Sequence, residues 1–163
     1  IAGQLERPSA GLDYTEMFLT AVIDAALAAQ NAAAAAESLG LGMVYIGGMR
    51  NHPQEVAALL ELPPEVFAVF GMCLGTPDPA HPAEVKPRPP QAVVLHHERY
   101  RQDVQDAGIE AYNQAMAHFY DEQKMNVRGT WAAHSAKRIA GPESLSGRDR
   151  LVEALHALGL KLK

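Results

Sequence analysis

Residues Met17–Ser38 are rich in alanine and other apolar side chains and contain neither proline nor glycine. Alanine is the best helix former because it loses no side-chain entropy when the backbone is ordered. The stretch therefore predicts one long helix, starting near Thr15 and running to about Leu39. Asp13 and Glu16 offer carboxylates to the free N–H groups of its first turn. Gly40 supplies the left-handed residue on which helices often stop. A helix facing solvent carries a broad polar stripe, and this one does not, so burial on most faces is expected. Asp24, Asn31 and Ser38 recur every seven residues on one face and read as a polar seam toward solvent or a partner subunit. Asp24, Gln30, Asn31 and Glu37 interrupt the apolar run, which is read as a protein core element and not a bilayer span.

A buried helix of that length needs strands or other helices to cover it, and the remaining sequence offers few strands. Met43–Ile46 is β-branched and aromatic, and it ends at Gly47-Gly48. Val66–Leu74 and Ala92–Leu95 are the other strand candidates. Between them, Pro53 suits a first helical position, and Gln54–Leu62 reads as a short amphipathic helix closed by Pro63-Pro64. The stretch 76–90 holds Pro77, Pro79, Pro82, Pro87, Pro89 and Pro90 and must be an extended connection. Helical spacing returns from about Asp103 to Lys124, with further helices expected around Ala132–Ala140 and Arg148–Leu158, and residues 103–163 form a helical excursion. Residues Ile1–Leu12 read as a loop. The whole, 1–163, is expected to be α+β, helix-dominated, with a small sheet. Such a sheet is thin cover for the long helix, which points to an incomplete chain or an obligate dimer. A start at isoleucine gives a second hint of truncation, a trimmed chain being the other explanation.

Composition excludes some classes. A length of 163 residues suits one compact domain, and a formal net charge of −5 argues against nucleic acid or an acidic membrane as the main partner. The single cysteine, Cys73, rules out an intrachain disulfide and fits a reducing cytoplasm. Lying in an apolar run, it reads as a small core residue. Seven histidines are present, but none falls in a zinc-binding spacing, and no metal is expected. There is no nucleophile elbow, no P-loop and no dinucleotide fingerprint.

What remains suits an anion and a flat ring. Gly47-Gly48 at a strand end leaves backbone N–H groups open to close approach, unless it is only a tight turn. Lys86-Pro87-Arg88 sets two cations on either side of a rigid residue, unless it is only a solvated stretch.

Taken together, the segments resemble one family. The run from Ala34 through Glu37-Ser38-Leu39-Gly40-Leu41-Gly42-Met43-Val44-Tyr45-Ile46-Gly47-Gly48-Met49-Arg50-Asn51 is similar to that of oxygen-insensitive NADPH nitroreductases of the flavin reductase P group. Phe70–Gly75, Lys86-Pro87-Arg88, Tyr112, Phe119-Tyr120, Thr130-Trp131 and Leu155…Gly159 follow in the family's order. The resemblance runs from about Asp13 to the end and matches the C-terminal portion of such a protein.

The resemblance implies an α+β homodimer, an oxidoreductase with FMN at the subunit interface and NADPH as co-substrate. Hydride would pass to flavin N5 and on to a nitroaromatic, quinone or free flavin in a ping-pong sequence. It implies that Ile46, Gly47 and Gly48 lie against the flavin ring, that Lys86 and Arg88 bind its phosphate, and that Asn51 lies near the neighbouring subunit's flavin. Lys124 and Arg128 fall in the loop, 122–129, that grips the NADPH 2′-phosphate in relatives. Those relatives use two arginines there, and a lysine cannot make the same forked contact. Arg148 matches an arginine near the substrate pocket. The family's N-terminal phosphate-binding motif has no counterpart here. The alternative is therefore a truncated, non-catalytic dimerisation or interaction remnant of the same fold.

Overall fold

The computed structural model describes residues 3–4, 6–82 and 84–163. The loop expected over Ile1–Leu12 lies partly outside them, at Ile1, Ala2 and Leu5, as does Ala83 of the proline-rich connection. The chain forms two compact units, residues 1–80 with 145–163, and residues 81–144.

The first unit is built on α1 (Thr15–Ser38). Its stop is as expected. Gly40 takes φ +77°, its N–H donates to Glu37 O at 3.0 Å, and Leu41 N–H donates to Ala36 O at 3.0 Å. These two bonds satisfy carbonyls that the last turn would leave orphaned. Its start differs from expectation. No side chain caps the helix, and the residue before it is Tyr14. The Asp13 carboxylate is instead taken by Lys161 at 2.9 Å and Lys163 at 2.8 Å, while the Lys163 carbonyl accepts the Thr15 N–H at 3.1 Å. The free donor is satisfied by backbone from the other end of the chain. Those two lysines, Lys161 first, hold the Asp13 carboxyl below its ordinary value.

Two strands follow. β1 (Gly42–Ile46) pairs antiparallel with β2 (Gly71–Gly75), in a register from Gly42 opposite Gly75 to Ile46 opposite Gly71. The strand expected from Val66 therefore begins only at Gly71. A strand extends only as far as its partner, and β1 is five residues long. Val66–Phe70 is held otherwise, with Phe67 against Phe18 and Phe70 edge-on to Tyr45 at 5.3 Å. Between the strands, α2 (Pro53–Leu59) starts on its proline as expected. It packs on the later helix that buries Ala154 and Leu155, with Pro53 and Ala57 buried on its own side.

The burial of α1 departs most from expectation. Ala29, Ala33 and Ala36 are buried on the side facing β1, but Leu19, Ile23 and Leu27 are 49, 56 and 61% exposed. Two short strands cannot cover a helix of 24 residues, so its remaining apolar surface lies open in a single chain. Length and a mean hydropathy of 1.3 would suffice for a bilayer span, but Asp24 and Glu37 sit within it. Cys73 is likewise exposed and not a core residue, as is Val44 opposite it in β1.

The second unit centres on α3 (Gln91–Val94) and α4 (Gln105–Glu122). The apolar run expected as a strand is thus one helical turn. Pro90 leads into it with its carbonyl accepting Val93 N–H at 2.9 Å, and Gln91 O accepts Leu95 N–H at 2.8 Å. Gly108 of α4 lets that turn sit close, since a Cβ there would lie 2.2 Å from Val93 Cγ2. Tyr112, Asn113 and Met116 form the buried stripe of α4. α5 (Trp131–Lys137) stops short of the expected Ala140. Thr130 Oγ1 and Asn113 Oδ1 accept the N–H groups of Ala133 and Ala132 at its start, at 3.2 and 3.0 Å. The chain then returns to the first unit, where the tight turn Arg148–Arg150 precedes α6 (Leu151–Ala157).

Candidate functional site

The strand β1 ends in a tight helical turn, Gly47–Arg50. Its first N–H groups have no carbonyl within the turn. The two glycines differ. A Cβ on Gly47 would lie 3.2 Å from Arg50 Nη2, whereas a Cβ on Gly48 would meet nothing within 4 Å. Gly47 is therefore small because Arg50 folds over it, and Gly48 is open on its own account. The Arg50 guanidinium donates to the Val69 carbonyl and ties the turn to the segment entering β2. A shallow hollow of about 320 Å³ opens beside Gly48, with Ile46, Met49, Val56 and Leu59 in its wall. His52 and Glu55 stand at the same hollow, 3.3 Å apart.

Asn51 closes the turn, its N–H donating to Gly48 O at 2.9 Å. Its side-chain oxygen accepts from Arg148 Nε at 2.8 Å, across 97 positions of sequence. Ile46, Gly47, Gly48, Asn51 and Arg148 thus gather in the first unit.

The other four expected residues lie in the second unit. Lys86 and Arg88 are both exposed, flanking Pro87, whose carbonyl accepts the Tyr112 hydroxyl at 3.0 Å. Sequence reasoning marked Tyr112 without its role, which is to anchor the backbone between the two cations. Trp131 backs the same tyrosine edge-on at 4.9 Å. Lys124 follows α4 with φ +51°, its N–H bonded to Asp121 O at 3.0 Å and Met125 N–H to Tyr120 O at 2.9 Å. This is the helix-ending geometry glycine usually occupies. Arg128 is exposed in the short segment before Gly129 and the Thr130 cap.

The structure thus holds an open glycine turn at a strand end in the first unit and a backbone-anchored Lys-Pro-Arg segment in the second. Residues 14–76 match the nitroreductase family, and residues 86–163 match the nitroreductase family, C-terminal domain. The chain belongs to the nitroreductase family. It is 40% identical to the NADPH-flavin oxidoreductase of Vibrio harveyi over 94% of its own length and 61% of that protein's. Identity to the oxygen-insensitive NADPH nitroreductase of Salmonella typhimurium is 39%, over 93% of this chain and 61% of the relative. The crystallographic NADPH:FMN oxidoreductase of Vibrio harveyi in complex with NAD+ superimposes with a TM-score of 0.79 at 39% identity. That match covers 93% of this chain and 60% of the other. The chain thus spans about three-fifths of the length of these nitroreductase relatives.

Proposed function

We propose that the chain is part of an FMN-dependent NADPH oxidoreductase that reduces nitroaromatics, quinones or free flavin by two-electron transfer. The observation that carries this reading is the Ile46-Gly47-Gly48 turn. It presents one glycine with open space around it and a largely apolar hollow suited to a flat ring. Lys86 and Arg88 have the donor chemistry a phosphate requires, and Tyr112 fixes the backbone between them. FMN, when bound, supplies the hydride chemistry that side chains lack. The protein's own part is to hold the ring with Ile46, Gly47 and Gly48, and to place N–H donors where charge grows. Arg128, with Lys124 beside it, is assigned to the NADPH 2′-phosphate.

A homodimer is proposed on the open stripe Leu19, Ile23 and Leu27 of α1, which a second copy would cover. The free thiol of Cys73 supports a reducing, cytoplasmic setting. The same open stripe also favours a second reading, a non-catalytic dimerisation remnant of the fold. An absorption spectrum after FMN is added and the excess removed separates the two. Retained yellow colour that bleaches with NADPH supports the reductase, and a colourless dimer supports the remnant.

A further inference from the structure

We infer that the open cleft between the Lys-Pro-Arg segment and α4 seats a flat purine base, the adenine of NADPH. The assignment to NADPH rests on the reductase reading above, whereas the fit of the cleft to adenine stands on its own lining.

The cleft measures about 550 Å³ and lies wholly within the second unit. Val85 and Pro87 of the segment and Ala115 and Phe119 of α4 give it apolar surface. Its two sides are tied together, because the Pro87 carbonyl accepts the Tyr112 hydroxyl of α4 at 3.0 Å.

The polar groups suit a base and not a phosphate. Glu84 and Glu122 both line the cleft, and among the described residues no lysine or arginine does. Lys86 and Arg88, on either side of Pro87, are outside it. A phosphate would meet two carboxylates there, whereas an exocyclic amine gains acceptors from them. Glu122 already stands 3.2 Å from His118 Nε2, which also lines the cleft. Gln123 is half-buried, and among the described residues its side-chain amide has no hydrogen-bond partner. A glutamine amide offers a donor and an acceptor side by side, the pattern that reads the N6 amine and N7 of adenine together. Phe119 lies four residues earlier on the same side of α4, its carbonyl accepting the Gln123 N–H at 3.0 Å. One helical turn thus carries a ring for the base to stack on and an amide for its edge.

Position decides which adenine compound is meant. Gln123 lines the cleft and Lys124 follows it directly, with Arg128 four residues further on. In NADPH the base and the 2′-phosphate hang from the same ribose. Adjacent subsites therefore suit one ligand, the acidic cleft taking the base and the two cations the phosphate.

The test is equilibrium calorimetry on the 163-residue chain with adenosine 2′,5′-bisphosphate as probe. Its hypoxanthine counterpart, which has a carbonyl in place of the N6 amine, is the control. The parent should prefer the adenine compound about tenfold. Gln123→Ala should abolish that preference with an unchanged melting temperature. Phe119→Ala should weaken both compounds about tenfold, and Phe119→Tyr, which keeps a stacking face, should retain most of the affinity. Arg128→Ala should weaken both compounds and leave the preference for adenine intact. A preference that survives Gln123→Ala, or no binding by the parent chain, would overturn the adenine seat. Adenosine 5′-monophosphate binding as tightly as the bisphosphate would overturn the assignment to NADPH. Retained flavin that bleaches with NADPH, in a chain that shows no preference for adenine, rejects the seat alone. A Gln123-dependent preference in a protein that holds no flavin keeps the seat and rejects the reductase.

Discussion

Asn51 and Arg148 hold each other at 2.8 Å, whereas Lys86 and Arg88 stand in solvent on either side of a proline that is itself pinned. In the first unit the candidate groups are fixed through their side chains and through glycines that admit close contact. In the second, Tyr112 and the end of α4 fix the backbone, and the cationic side chains are exposed. Preorganised donors lose little entropy on binding and give orientation. Exposed lysine and arginine give attraction without a fixed orientation. The first kind of site should report damage as lost stability, and the second as lost affinity in an intact fold.

The largest expected effect tests the first half of that statement. Gly147→Ala places a Cβ 2.9 Å from the Asn51 carbonyl at φ +87° and should destabilise by about 2–3 kcal/mol in urea unfolding. A loss below about 0.5 kcal/mol would show the contact to be soft and break the comparison. Arg128→Ala tests the second half. It should raise KM for NADPH about tenfold, leave NADH nearly unchanged, and leave the melting temperature alone. Equal loss with both nicotinamides would remove the 2′-phosphate role.

Smaller effects sharpen the contrast. Tyr112→Phe removes the bond to the Pro87 carbonyl and should cost about 1 kcal/mol, with FMN affinity falling several-fold although both cations remain. Lys124→Gly has the opposite sign. It relieves a left-handed lysine and should stabilise by about 0.5–1 kcal/mol in thermal unfolding, while raising KM for NADPH less than Arg128→Ala does. The smallest effect is a pH dependence at Asp13. Its carboxyl is held below the ordinary value of 3.8 by Lys161 and Lys163, so its contribution is present above that pH. It should fade as pH falls below 3.8 toward the folded-state value, and Asp13→Asn should flatten acid unfolding there.

These outcomes also mark what a single sequence can carry. α1 was legible because a long run without proline or glycine leaves the backbone little alternative, and α4 because its apolar residues keep helical spacing despite Gly108; Gly40 fixed the stop of α1. The turn at Gln91–Val94 was not, because four apolar residues suit a strand or a helix equally and the preceding Pro90 decided between them. The exposure of Leu19, Ile23 and Leu27 was also hidden, since periodicity reports that a surface wants covering and not whether the same chain covers it. In the candidate site, Gly47-Gly48 and Lys86-Pro87-Arg88 announced themselves as local patterns. The pairing of Asn51 with Arg148 bridges 97 positions and leaves no local trace, except that a Ser-Gly dipeptide just before Arg148 permits the left-handed turn that brings them together.

Cys73 has one consequence at the bench. It is the chain's single thiol, and it lies exposed on the sheet beside the exposed Val44 of β1. The speed with which a thiol reagent titrates it is therefore a gauge of what lies over that face. Fast labelling reports a bare sheet, and labelling that slows as protein concentration rises reports a second molecule arriving there, without any need for colour or turnover.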